Sequence, residues 1–301
     1  MVEERAFEPD FLRRLDRLIL GIKRARTVRT GQRTIGREHG RGIEIEDFRE
    51  YSEGDDLRFL DWNTYARLDN LTMRTYRAER QVEITVMIDA SASMRVPGRD
   101  DKFGLARALA CALAYIATVQ NDAVRLIAFN SGRGGARIVA SPFYRRREQF
   151  LELRPFVRGL ECLGATDIGA AVHELLQQRR PRGLVVVIGD FLVSQAEFED
   201  AIATLLAAGN EVRAIHVLGA IENSGNYAPG MYRVRDAETG ELGEIAFGPE
   251  LAASCRRKVD ELVARIRDFC SRRGVVYSQA FGAENLDSIL ERELPRLGVV
   301  R

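Results

Sequence analysis

The sequence predicts an α/β fold: a doubly wound, mostly parallel, Rossmann-like sheet with an N-terminal helix and β-hairpin extension. Three observations lead there. Segments 82–88, 123–129, 184–189 and 212–218 are rich in Val, Ile and Leu, as strands buried on both faces are. Amphipathic stretches long enough for crossover helices separate them. Two of the strands run directly into aspartates, Asp89 and Asp190, at the carboxyl ends where such sheets bind ligands.

The elements follow in order. Residues 10–25 carry Phe11, Leu12, Leu15, Leu18 and Ile19 on one helical stripe, with Asp10 as the N-cap. From Arg13 to Arg41 ten basic residues face two acids; without interleaved aromatics this is a solvated face, not a base-stacking surface. Residues 31–80 are polar and punctuated by glycine. There Gly54 allows a tight turn, Asp55 or Asp56 caps a short helix carrying Leu57, Leu60 and Tyr65, and Asn70 suits a left-handed position before a strand at 71–78. This stretch cannot form its own core, so residues 1–80 are expected to pack on a main domain at 81–301, with Trp62 buried. Further helices are expected at 102–119, 146–157, 167–179, 195–208 and 251–272, and a short strand near 137–140. Gly132-Arg133-Gly134-Gly135 reads as a hairpin turn. A second hairpin spans 231–247, around Ala237-Glu238-Thr239-Gly240, and a strand at 275–280 and a helix at 286–294 end the pattern.

With 301 residues, 46% of them hydrophobic and 30% charged, the chain can bury a full core. A net charge of +1 exerts no general pull on nucleic acid or anionic membrane. Of the 45 basic residues only Lys23, Lys102 and Lys258 are lysine, which reads as a bias of base composition. Cys111, Cys162, Cys255 and Cys270 lack metal-type spacing and suit buried thiols in a reducing compartment. The N-terminus has no signal-peptide core, and the apolar run at 108–119 is too short to span a bilayer. The expectation is a cytoplasmic protein with no membrane insertion and no nucleic-acid partner.

The chemistry sits at strand ends. Asp89, Ser91 and Ser93 follow the first strand at a spacing of two. Thr166 lies in the loop Gly164-Ala165-Thr166-Asp167, and Asp190 ends a second buried strand. Carboxylates and hydroxyls are hard oxygen ligands that suit Mg²⁺ or Mn²⁺. Each of the five could serve separately as a cap or turn residue, but not one of those roles explains why all five fall at strand ends or in loops. The rival chemistry is a phosphohydrolase of haloacid-dehalogenase type with Asp89 as nucleophile. That reaction calls for a second carboxylate two residues on, where this chain has Ser91. No G-x-S-x-G elbow accompanies His39, His173 or His216, and no Walker loop is present, so no catalytic residue is assigned.

Asp89, Ser91, Ser93, Thr166 and Asp190 together resemble the metal-ion-dependent adhesion site of von Willebrand factor A domains. Residues 40–79 resemble domain-of-unknown-function family 58, through Gly40, Gly42, Glu44, Arg49, Tyr51, Gly54, Asp55, Asp56, Arg58, Asp61, Trp62, Ala66 and Arg67, with Leu71, Arg74, Tyr76 and Glu79 beyond. Gly189 stands where the family often has serine. The resemblance implies a von Willebrand A-like domain and a site for Mg²⁺, with Mn²⁺ as the alternative ion, that is not enzymatic. It also implies a partnership with a MoxR-type AAA+ ATPase, or that ATPase's client, in protein maturation or complex assembly. Met94, Phe191 and Leu192 are the expected apolar rim for that partner.

Overall fold

The computed structural model describes residues 2–18, 20, 44–53, 60–77, 82–95, 101–132, 135–178, 183–219, 228–237, 240–281, 286–290 and 295. The chain divides into two compact units, residues 1–23 with 82–301 and residues 24–81.

The larger unit is built on β3 (Glu83–Asp89), β4 (Ala123–Gly132), β5 (Gly135–Ala140), β6 (Gly183–Gly189), β7 (Glu211–Leu218) and β10 (Val276–Phe281), in the order β10-β7-β6-β3-β4-β5. All neighbours are parallel except β5, which returns antiparallel along β4 with Gly132 opposite Gly135. From β3 the chain winds to β4 on one side and later to β6 on the other, so the strand order reverses between β3 and β6. That is where such a sheet opens a crevice at its carboxyl ends.

Side-chain alternation along each strand builds two cores. Ile84, Val86 and Ile88 of β3 and Leu184, Val186 and Ile188 of β6 face one helical layer, and Met87, Val185 and Val187 face the other. The first layer centres on α4 (Lys102–Val119), which is buried over nearly its whole length. By length and composition alone α4 could cross a bilayer; here it is the core helix. The second layer holds α6 (Ile168–Gln178), α7 (Gln195–Ala207) and the carboxyl-terminal part of α8 (Pro249–Arg272). The expected helix at 146–157 is instead a 3-10 stretch, Arg147–Glu152, followed by α5 (Leu153–Arg158). The hairpin of β8 (Gly230–Arg235) and β9 (Leu242–Phe247) forms its own two-stranded sheet, and α9 (Leu286–Ser288) follows β10.

The N-terminal segment belongs to this unit, not to the signature segment as expected. It forms α1 (Val2–Arg5) and α2 (Pro9–Leu15), shorter than the predicted 10–25. Pro9, which needs no intrahelical partner for a missing N–H, starts α2, so Asp10 lies in the first turn and is not the cap. Ala6, Phe11, Leu15 and Leu20 enter the same core as α4. Below them the Tyr115 hydroxyl donates to Asp16 at 2.6 Å, and Arg147 pairs with the same carboxylate at 3.1 Å.

The smaller unit pairs β1 (Glu44–Glu50) with β2 (Thr72–Arg77) antiparallel, with Arg49 opposite Met73. Between them lies α3 (Trp62–Leu68), capped by Asp61, whose carboxylate accepts from the Asn63 amide at 3.1 Å and the Thr64 hydroxyl at 2.8 Å. The left-handed residue that ends α3 is Asp69, φ 52°, and not Asn70; a short polar side chain tolerates that conformation. Trp62, expected to be buried, is 59% exposed, and Arg67 is exposed. Among the described residues, Leu60 and Met73, bridged to each other, are the buried apolar residues here. Gly54, Asp55, Asp56 and Arg58 lie outside the described residues.

Placing Phe11 in the main core has a measurable consequence. Phe11→Ala should lower the stability of the protein to urea by roughly 3–5 kcal/mol, as for a buried phenylalanine. A change near zero, the result for a helix in a detached extension, would count against this packing.

Candidate functional site

Parallel pairing of β3 with β6 runs to Ile88 opposite Ile188, so the next residues, Asp89 and Gly189, end their strands side by side. Asp89 ends β3 and is 1% exposed. One of its oxygens, Oδ1, accepts from the Ser91 amide at 2.8 Å, and the other, Oδ2, accepts from the Thr166 hydroxyl at 3.1 Å. The Ser91 and Ser93 hydroxyls are 3.0 Å apart and hydrogen-bonded to each other. Asp89, Ser91, Ser93 and Thr166 thus form one connected cluster; Ser91 is buried, while Ser93 and Thr166 are half-buried at its mouth.

Thr166 arrives by a close approach of two loops. Leu163 donates to the Ala90 carbonyl, Ala92 to the Gly164 carbonyl, and Ala165 and Ser131 bond each other through Ser131 N, Oγ and the Ala165 carbonyl and amide. Gly164 has φ 67°, and a Cβ there would lie 1.8 Å from the Ser131 carbonyl oxygen. Only glycine permits this crossing, which brings Thr166 over the end of β3.

Asp190 follows β6, fully buried. Its Oδ1 accepts from the Leu192 amide at 3.3 Å and its Oδ2 from Lys102 Nζ at 2.9 Å. Lys102, at the first turn of α4, is also wholly buried. Lys102 is the residue of this site that sequence reasoning missed. Its signal was the lysine itself, in a chain where nearly every other basic residue is arginine. The Asp190 carbonyl accepts from His216 Nε2 at 2.8 Å, which makes His216 Nδ1 the acceptor for the Tyr277 hydroxyl, also at 2.8 Å. Burial, aided by Lys102, lowers the His216 pKa to about 4, so the ring is neutral, and burial raises that of Tyr277. Of the other histidines, His173 is exposed on α6.

The expected apolar rim is only partly present. Met94 is fully buried and Phe191 is 2% exposed; of the three, Leu192 alone reaches the surface, joined by Leu163, the two being 48% and 49% exposed. Phe191 turns inward because its backbone is left-handed, φ 49°, an unfavourable conformation for a bulky residue. Ring contacts with Phe198 at 4.9 Å and His216 at 5.1 Å hold it there. This bend also returns the Leu192 amide to Asp190. Gly189 has a steric reason: a Cβ on it would sit 2.8 Å from the Asp89 Cβ. The orientation of Asp190 does not depend on a hydroxyl at 189, since Lys102 and Leu192 supply it.

The donor set is all oxygen. Among the described residues no group of three or more His, Cys, Asp or Glu side chains converges, so a cation here depends on the hydroxyls. Their spacing fits. Adjacent ligands of an octahedral Mg²⁺ at about 2.1 Å lie about 3 Å apart, which is the separation of the Ser91 and Ser93 hydroxyls and nearly that of Thr166 Oγ1 and Asp89 Oδ2. Cys162 and Cys270 are no competing soft ligands; burial raises each thiol to about 12. Cys111 is also buried and Cys255 exposed, all four being free.

The family described as "Protein of unknown function DUF58" matches residues 47–268. The uncharacterized proteins Rv1480 of Mycobacterium tuberculosis and Mb1516 of Mycobacterium bovis are each 29% identical over 224 residues, covering 72% of this chain and 68% of theirs. Among solved structures, BatB from Bacteroides thetaiotaomicron is 17% identical with a TM-score of 0.43, covering 72% of this chain and 98% of that one. The SpRpn10 VWA domain is 13% identical with a TM-score of 0.41, covering 70% and 94%.

Burial, and next the charge of Asp190, raise the Asp89 pKa from 3.8 to about 7, against the hydrogen bonds from Ser91 and Thr166. The folded chain then holds a proton that the unfolded chain has released. Stability of the metal-free protein should therefore fall as pH rises from about 4 to about 7 and level off above. Asp89→Asn removes this slope. In EDTA the variant should exceed the wild type at pH 8 by a few kcal/mol, since each tenfold difference in proton affinity between folded and unfolded chain is about 1.4 kcal/mol. The gap should shrink toward pH 5. Parallel urea-denaturation profiles for the two proteins would refute it.

Proposed function

This chain belongs to the DUF58 family of proteins of unknown function, and we propose that it is a cytoplasmic, non-enzymatic, Mg²⁺-dependent protein-binding module. The observation that carries this reading is the hydrogen-bonded cluster of Asp89, Ser91, Ser93 and Thr166 at the strand-order reversal, in which Ser93 and Thr166 are only half-buried. Ser91, Ser93 and Thr166 would hold the ion, Asp89 would anchor the shell through its hydrogen bonds, and Asp190 would lend charge from beneath. Neutral hydroxyls leave a bound Mg²⁺ electrophilic, so that an Asp or Glu of a partner protein can supply a missing oxygen. Leu163 and Leu192 flank the mouth and add apolar contact area to what would otherwise be a single ionic bond.

The partner proposed is a MoxR-type AAA+ ATPase or its client, in protein maturation or complex assembly. Support for it comes from the family resemblance of residues 40–79 and from a face suited to an acidic side chain. The hydrolase alternative built on Asp89 has one feature in its favour, a buried lysine near the carboxylates. Against it, the residue two after the candidate nucleophile is Ser91, which cannot exchange protons as a second acid would.

Two measurements test the reading. Mg²⁺ or Mn²⁺ should bind with a dissociation constant on the order of 0.1–1 mM, given how few anionic ligands the site has. Calorimetric titration of Asp89→Ala and of Ser91→Ala/Ser93→Ala should show no binding; wild-type affinity in the double serine variant would sink the assignment. The protein should retain the ATPase or its client in a pull-down with Mg²⁺ and lose it in EDTA or as Thr166→Ala. Equal retention in all three would place the interface elsewhere.

A further inference from the structure

Lys102 and Asp190 form an ion pair with both side chains fully out of solvent, and Asp190 follows Gly189, whose backbone lies against Asp89. A buried pair of this kind adds little stability over apolar residues of the same size, so its presence calls for another account. Both oxygens of Asp190 are engaged: the Leu192 amide takes Oδ1 and Lys102 takes Oδ2. Arginine, used almost everywhere else in this chain, would bring a forked cation to a carboxylate with one oxygen open. A compact ammonium needs only one. Lysine at 102 thus fits the geometry of Asp190 and not merely its charge.

We propose that Lys102 is a positioning residue that keeps Asp190 from ligating the metal and sets the net charge of the site. This inference rests on the metal-binding reading above. Asp89 and Asp190 together carry two negative charges, and Lys102 cancels one. With Mg²⁺ bound the group has a net positive charge, which draws an anionic oxygen. Without the lysine the same loaded site would be neutral and would hold its metal more tightly. The metal is then held by the Asp89, Ser91, Ser93 and Thr166 cluster alone. Lys102 makes the site a weaker metal binder and a stronger acceptor of a carboxylate.

Lys102→Gln separates charge from hydrogen bonding, because the amide can still donate to Asp190. Calorimetry should show Mg²⁺ binding to K102Q tightened by roughly tenfold or more over the wild type. The double variant K102Q/D190N, which restores the pair's zero net charge, should return to near wild-type affinity. A second readout uses the intact protein. With three lysines in the chain, ¹⁵N-lysine labelling gives few ammonium signals, and the exposed Lys258 exchanges rapidly with water. The Lys102 ammonium should give a protected signal that persists, shifted, at saturating Mg²⁺. If K102Q does not fold, this signal decides alone: its loss on adding Mg²⁺ would mean that the metal displaces Lys102 from Asp190, and would overturn the proposal. Equal Mg²⁺ affinity in wild type and K102Q would also overturn it while leaving the metal reading intact. Mg²⁺ binding by none of these proteins would overturn the metal reading and this inference with it.

Discussion

Two carboxylates, Asp89 at the end of β3 and Asp190 one residue beyond the level of Asp89 on the neighbouring parallel strand, are both almost without solvent. Like charges so placed repel strongly, since little water screens them. Much of the surrounding structure answers that repulsion. Donors converge on Asp89 from its own loop and from the loop before α6. On Asp190 they are the Leu192 amide and an ammonium carried by α4. The raised pKa of Asp89 is what remains after these contributions. A bound Mg²⁺ would offset the remainder, which links the stability of the fold to the function proposed for it.

The arrangement is rigid where it is buried and open where it is not. Beneath Asp190, the chain His216–Tyr277 fixes the backbone carbonyl, and the left-handed Phe191 is wedged between Phe198 and His216. A strained residue persists only when its neighbours over-determine it, and here aromatic packing does so. Above Asp89, by contrast, Ser93, Thr166, Leu163 and Leu192 reach solvent. Buried acids below half-buried serine and threonine residues are the basis of the reversible contact proposed above. Membership of DUF58 carries no assigned activity, so the chemistry of these residues is the ground on which a function has to be argued.

Much of this was readable from residue order alone. Runs of Val, Ile and Leu between amphipathic helices determined a parallel sheet with two covered faces, because only continuous apolar strands can be buried on both sides. Asp89 and Asp190 at strand ends, and Thr166 after a glycine, marked the crevice, because strand carboxyl ends and glycine crossings are local features of the chain. Tertiary structure alone decided which of these meet: β6 lies beside β3, and that neighbour relation is a choice among strand orders that local pattern does not contain. It also decided the positions that depend on partners distant in sequence. Lys102 looked like a helix-start residue until α4 brought it to Asp190, 88 residues away. Phe191 read as a rim residue until a left-handed backbone turned it into the core. Trp62, an apolar residue in a polar stretch, turned out exposed, and the N-terminal helix joined the core of α4. Periodicity tells which side of an element is apolar; only the assembled sheet and helices determine what that side meets.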